Sequence, residues 1–267
     1  MSHWDFARSE PVEAYLHVIA GSVKIIAAPT ETITVDLEPS RPGRHDQELT
    51  DHFTVELVDD RLEVSEPSDQ IGWLRHHSGF DLTVTVPTGS CCLVSTVSAS
   101  IECTGELGAL DAKTASGSVE AATIAGPAIV NTVSGRIEVG DVAESVTAKT
   151  ASGRVGLGRV GGDLNVGTVS GRVEIGVAEA SVAAQTATGR VQIDRLIRGT
   201  ADISTVSGSI EASVAPGAGI YLDLASISGR VTSDLEPSQD QGEIDLNLKC
   251  RSASGSIRVG RAVLADA

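Results

Sequence analysis

One phrase recurs down the centre of this chain. It runs threonine, then valine or alanine, then serine or threonine, glycine, arginine or serine, and a β-branched residue. It reads TVSASIE from Thr96, TASGSVE from Thr114, TVSGRIE from Thr132, TASGRVG from Thr150, TVSGRVE from Thr168, TATGRVQ from Thr186 and TVSGSIE from Thr205. Two looser copies follow, SISGRVT from Ser226 and SASGSIR from Ser252. The first six copies start 18 residues apart, and the later intervals are 19, 21 and 26. A fixed short period signals one supersecondary unit stacked on copies of itself, that is, a solenoid.

Period-two alternation assigns the faces of the unit. After Gly135, Ile137 and Val139 alternate with Arg136 and Glu138. Past the Gly140-Asp141 corner, Val146, Ala148 and Thr150 alternate with Thr147 and Lys149. Placing the aliphatic set inside leaves Arg136, Glu138, Thr147 and Lys149 in water. Each unit is then two short strands and two corners, with Ser-Gly at one corner. The threonine column falls on the inner side, where its hydroxyls are expected to bond neighbouring coils. The expected fold is all-β: a single-stranded parallel β-helix (β-solenoid), right-handed by the crossover rule. A less regular N-terminal β cap over 1–88 runs into repeats over 89–260, and 261–267 is a tail. In the cap, VEAYLHVIA, GSVKIIAA, ETITVDLE and FDLTVTVP read as strands. HFTVELVDD and DRLEVSEP read as a hairpin turning at Asp59 and Asp60. Residues 39–47, 68–79 and 237–243 read as loops.

A second period overlies the first. The residue after each threonine runs Val97, Ala115, Val133, Ala151, Val169, Ala187, Val206. The residue two before runs Ala112, Val130, Ala148, Val166, Ala184, Ile203. If like residues stack on like, the 18-residue units pair into coils of 36 residues, the favoured reading; the rival is an 18-residue coil with valine and alanine alternating up a single stack, large over small. Ile137 would then lie one strand spacing from Val173, and Val169 would belong to a wide inner layer. On that reading Val169→Asp destroys the fold, while Arg172→Ala is nearly silent.

Composition limits the chemistry. A formal charge of −16 opposes nucleic acid and anionic membrane surfaces as partners. Four cysteines without a C-x-x-C pair argue against a structural zinc site. They suit reduced thiols, and with no apolar run long enough for a signal peptide or a span, a cytoplasmic protein is expected. All six histidines precede the repeats. His76 and His77, beside Trp73, form the most concentrated polar-aromatic group. Glu102, Glu138, Glu174 and Glu211 form a candidate outward carboxylate row, with Arg136 and Arg172 two residues away on the same face. No Ser-His-Asp spacing, phosphate-binding glycine loop or HExxH motif is present. No cofactor, metal or catalytic residue is expected.

The recurring SG-[RS]-[VI]-x-[VIAL] phrases occur at Gly117, Gly135, Gly153, Gly171, Gly189, Gly208, Gly229 and Gly255. With the VTVPTGS segment before the first repeat, and the N-terminal hairpin region, they resemble a bacterial domain-of-unknown-function family known as "putative adhesin". That family is related to the head domains of autotransporter adhesins. The resemblance spans roughly the whole chain. It implies a parallel β-solenoid and brings no catalytic residues.

Three functional classes follow. The favoured one is a non-catalytic scaffold or protein-binding module, acting on a protein partner or on a second copy of itself. A surface adhesin is the alternative. A polysaccharide-acting enzyme fits least, because two tryptophans and two tyrosines provide few platforms for sugar rings. Self-association is expected at the C-terminal end of the stack, through Ile257, Val259 and Val263. Trp73, His76 and His77 form a second candidate surface.

Overall fold

The structure, a computed structural model, describes residues 2–40, 50, 53–66, 79–235 and 244–262. It is all-β among those residues and divides into two compact units, Met1–Val139 and Gly140–Ala267. The candidate residues Trp73, His76, His77 and Val263 lie outside the described residues, as do most of the three expected loops and the tail from 263.

The first unit contains β1 (Ser2–Ala7), β2 (Glu13–Val18), β3 (Gly21–Ala28), β4 (Thr32–Pro39), β5 (Thr54–Val58), β6 (Arg61–Ser65) and β7 (Phe80–Pro87). It continues with β8 (Cys91–Thr96), β9 (Ser100–Leu107), β10 (Ala109–Thr114), β11 (Val119–Ile124) and β12 (Ala128–Ser134), and β13 (Ile137–Val142) begins in it. Strand β10 lies parallel between β8 and β12, with Ala112 between Val94 and Val130. Beyond β8 the chain order changes. Val94 of β8 is beside Leu16 of β2, and Leu16 is beside Val64 of β6. On another side of the coil, Ile101 of β9 is beside Val23 of β3, which is beside Leu82 of β7. The coil made by β2 and β3 is therefore slotted between one made by β6 and β7 and one made by β8 and β9.

Antiparallel strands cover the outermost coil. β5 pairs with β6 through the expected hairpin, whose Asp59 takes φ 54°. β4 pairs antiparallel with β7, and β1 with β4. Ile33, Val35 and Leu37 of β4 are fully buried, and Phe53 meets Phe80 edge to face at 4.9 Å. His3 holds Asp36 at 2.6 Å and Asp5 at 2.9 Å, fastening β1 to the strand beneath.

The second unit contains β14 (Val146–Val160), β15 (Leu164–Ala178), β16 (Val182–Leu196) and β17 (Gly199–Val214). It ends with β18 (Ile220–Ser228), β19 (Val231–Ser233), β20 (Leu246–Ser254) and β21 (Ile257–Arg261). All pair in parallel. Val155 is beside Val173, Val173 beside Val191, and Val191 beside Ile210. The coil is 18 residues long, not 36. The inner face is as expected: Val146, Ala148, Val155, Val166, Val173 and Val191 are buried.

The 36-residue expectation failed on one residue of the frame. With Thr168 buried, a strand turns the next side chain outward. Val169 is 60% exposed, and Val206 is exposed likewise. One alternation belongs to the outer surface, where Val169 falls between Ala151 and Ala187; the other lies inside, where buried Val166 falls between buried Ala148 and Ala184, so large packs beside small on both faces. Even in the buried layer, large residues stack on small ones rather than like on like.

The threonine column is buried from Thr96 to Thr205. Thr96 Oγ1 donates to the Ala99 carbonyl at 3.2 Å, and Thr114 Oγ1 accepts from Gly117 N–H at 3.0 Å. Thr132, Thr150, Thr168, Thr186 and Thr205 place Oγ1 in the corner with no partner among the described residues, contrary to expectation. The corner is set by glycine. A Cβ on Gly171 would stand 1.8 Å from the Gly153 carbonyl oxygen, and one on Gly189 would stand 1.7 Å from that of Gly171. Both separations are far inside van der Waals contact.

Two predictions follow from these contacts. Gly171→Ala is expected to cost about 3 kcal/mol or more through that clash. Gly167→Ala, whose Cβ would meet nothing closer than Lys149 Cγ at 3.8 Å, is expected to be neutral or slightly stabilising. Urea melts of the two variants check this, and equal loss would remove the glycine argument. Val173→Asp, at a position 0% exposed, is expected to lose several kcal/mol. Val169→Asp is expected to stay within about 0.5 kcal/mol of wild type.

Candidate functional site

The outward carboxylate row does not stack in the second unit. Glu174 is flanked by Gly156 and Gln192, and Glu211 by Gln192 and Arg258. Glu174 is instead held by Arg172 at 3.2 Å and Arg154 at 3.9 Å, an exposed pairing of small energetic weight. Among the described residues, no group of three or more His, Cys, Asp and Glu could hold a metal ion.

A hollow of about 330 Å³ lies on the outer face of the first unit, over β6, β2, β8 and β10. Tyr15 and Leu93 floor it, and His17, Arg61, Glu63, Asp111 and Lys113 rim it. Its charges are already occupied. The Arg61 guanidinium sits 3.7 Å over the Tyr15 ring, and Lys113 pairs with Asp111 at 3.1 Å. His17 lies in register between Ser65 and Ser95 in this hollow, and among the described residues no hydrogen bond joins either serine to the imidazole.

The buried cysteines are inert for the same kind of reason. Burial pushes the thiols of Cys103 and Cys250 up to about 12, with smaller contributions from Glu102 and Asp202 respectively. Burial also raises Cys92 strongly, helped by Cys103 and Cys91. Only thiolates attack or ligate at useful rates, and these stay protonated at neutral pH.

The expected interaction residues Ile257 and Val259 are 0% exposed. They are last in sequence but not last in the stack. β21 lies between β17 and β19, with Ile257 flanked by Ile210 and Val231. Likewise β20 lies between β17 and β18: Leu248 is beside Ala201 and Leu222, and Cys250 beside Ile203 and Leu224. The terminal coil is therefore β18 and β19.

That coil has a different environment from the coil of β20 and β21 it packs on. Leu248 and Cys250 are fully buried, whereas Leu222 and Leu224, on the same inner columns, are only half-buried. No strand pairs with the far edge of β18 or β19 among the described residues. On the outer face of β18 Tyr221 is exposed and Ile227 is 89% exposed, and Val231, on the inner column of Ile210 and Ile257, is exposed as well. Edge strands of soluble proteins are normally guarded by lysine, proline or a bulge. The run from Ile220 to Ser228 has no lysine and no proline. Its one charge, Asp223, is held by Arg251 at 3.1 Å. Chemically this is an apolar strand edge whose outward backbone donors and acceptors have no strand partner among the described residues, an edge suited to strand addition.

The chain belongs to the Toastrack DUF4097 family, whose pattern matches residues 16–261. No curated protein matches it. It is similar to three solved structures at the level of the chain trace. A "putative adhesin" from Bacteroides fragilis is 12% identical, with TM-score 0.45, over 97% of this chain and 96% of that one. A "putative lipid binding protein" from Parabacteroides distasonis is 13% identical, with TM-score 0.39, over 97% and 96%. A "putative adhesin" from Parabacteroides merdae is 12% identical, with TM-score 0.41, over 97% and 95%.

The thiol environments give a direct check. With a disulfide reagent at about pH 8, near the ordinary thiol range, the native protein is expected to react at no more than one cysteine, Cys91. All four are expected to react in denaturant. Rapid native reaction of two or more would show that the inner columns are open.

Proposed function

We propose that this chain is a non-catalytic binding module that docks a protein partner on its terminal coil. The carrying observation is the uncovered edge of β18, with Leu222 and Leu224 half-buried where equivalent residues one coil below are sealed. The lack of a hydrogen bond from His17 to Ser65 or Ser95 among the described residues, and the inert thiols, support a role other than catalysis. The charge of −16 favours a protein over nucleic acid or an anionic lipid surface. A cytoplasmic setting remains part of the proposal. A surface adhesin would use the same edge, with the partner on another cell.

Affinity capture with the full chain and with Ile227→Lys tests the reading. Ile227 is so exposed that its replacement leaves the fold intact. Proteins retained by wild type are expected to be lost from the variant at least tenfold. An identical set from both would exclude the terminal coil as the docking surface.

A further inference from the structure

We infer that the partner of the terminal coil is a second copy of this chain, joined through β18 in antiparallel register about Leu224. This rests on the reading of the terminal coil as the docking surface, and adds the identity of the occupant.

The backbone defines which groups are free. Leu246 is paired with Ile220, and its N–H donates to the Gly219 carbonyl at 3.1 Å. In a parallel ladder this spends the groups of alternate residues, here Tyr221, Asp223 and Ala225, on β20. The N–H and C=O of Ile220, Leu222, Leu224 and Ser226 then face the open side. An antiparallel partner must place these residues opposite residues of the same kind. For a second β18 this holds when the twofold axis passes through a residue, so the choice is among Asp223, Leu224 and Ala225.

Side chains decide among them. An axis at Asp223 brings two carboxylates directly opposite, about 4.5–5.5 Å apart, which is unfavourable. An axis at Ala225 shifts the strands and places Tyr221 opposite Gly229, beyond the strand. An axis at Leu224, the midpoint of Ile220–Ser228, overlaps the full strand. It sets Tyr221 opposite Ile227 of the second copy, and does so twice. Those are the two large exposed apolar side chains on the outer face of β18. Asp223 then faces Ala225, and Leu222 faces Ser226. The strand is self-complementary about its own centre, as a twofold interface requires.

The arrangement also suits an acidic chain. Asp223 is already neutralised by Arg251. The edge is thus a place where two strongly negative copies can meet without bringing bare charges together, and added salt should tighten the contact.

Light scattering and mixed-cysteine crosslinking, on the full chain in a Cys91→Ser background, test this. Wild type is expected to pass from monomer to dimer as concentration rises to a few hundred micromolar, with a tighter dimer at higher salt. Leu224→Lys and Ile227→Lys are each expected to weaken the dimer at least tenfold, and Ile227→Lys covers the case in which Leu224→Lys fails to fold. A mixture of Tyr221→Cys and Ile227→Cys under mild oxidation is expected to form the mixed disulfide. Tyr221→Cys alone is expected to form none, because the two copies of residue 221 lie about 20 Å apart, six residues along the strand. A wild-type monomer at all concentrations overturns the second copy as partner, and the capture experiment then decides alone whether the docking surface stands. A dimer unaffected by either lysine overturns both. A disulfide as strong from Tyr221→Cys alone as from the mixture overturns the register.

Discussion

The repeats depend on a carbonyl oxygen occupying the space of a missing Cβ. At the Ser-Gly corners within each unit the glycine of one coil sits so close to the corner of its neighbour that only hydrogen fits, as at Gly135 beside Gly117, Gly171 beside Gly153 and Gly208 beside Gly189. The constraint is local, but its effect is general. A slip of one residue would drive a serine or arginine side chain into that oxygen, so the register of every coil is fixed at the corner. Once it is fixed, period-two alternation determines the rest: threonine turns in, valine or alanine turns out, and the following isoleucine or valine enters the core.

Most of this was legible in the sequence. The inner residues Ile137, Val139, Val146 and Ala148 were identifiable by alternation and are buried. So was the hairpin at Asp59. The coil length was misjudged although the deciding fact was present. If Thr168 points in, Val169 points out, and an outer position has no layer below it that must match. The large-small alternation was real, but on the outer face it described a surface, and inside, at Ala148, Val166 and Ala184, it described large packed on small within an 18-residue coil.

The terminal site was harder to see, because sequence order and spatial order part company at β18. Followed along the chain, the outer column reads Val206, Ile227, Ala253, and the alternation of large and small breaks. Followed through the stack it reads Val206, Ala253, Ile227, and the alternation is restored. The glycines agree: a Cβ on Gly255 would meet Gly208, and one on Gly229 would meet Gly255. The break in the pattern was therefore a readable sign that β20 belongs beside β17. Nothing in residue composition alone could say that the slot would be filled from later in the chain.

That slotting has a consequence for how the molecule comes into being. A ribosome delivers β17, then β18, and only afterwards β20. During that interval the edge of β17 is bare, and the first strand able to reach it carries the same alternating pattern as its proper neighbour. Ile220, Leu222 and Leu224 match the columns of Gly199, Ala201 and Ile203 through the shared register with Leu246, Leu248 and Cys250. A nascent chain can thus close one coil too early, with β18 in the seat reserved for β20. Reaching the native order then requires β18 to let go, or to wait. At the start of the chain the order is easier: β2 and β3 come first and receive β6 and β7 on one side and β8 and β9 on the other. Synthesis is linear, but at its C-terminal end this architecture is completed by insertion.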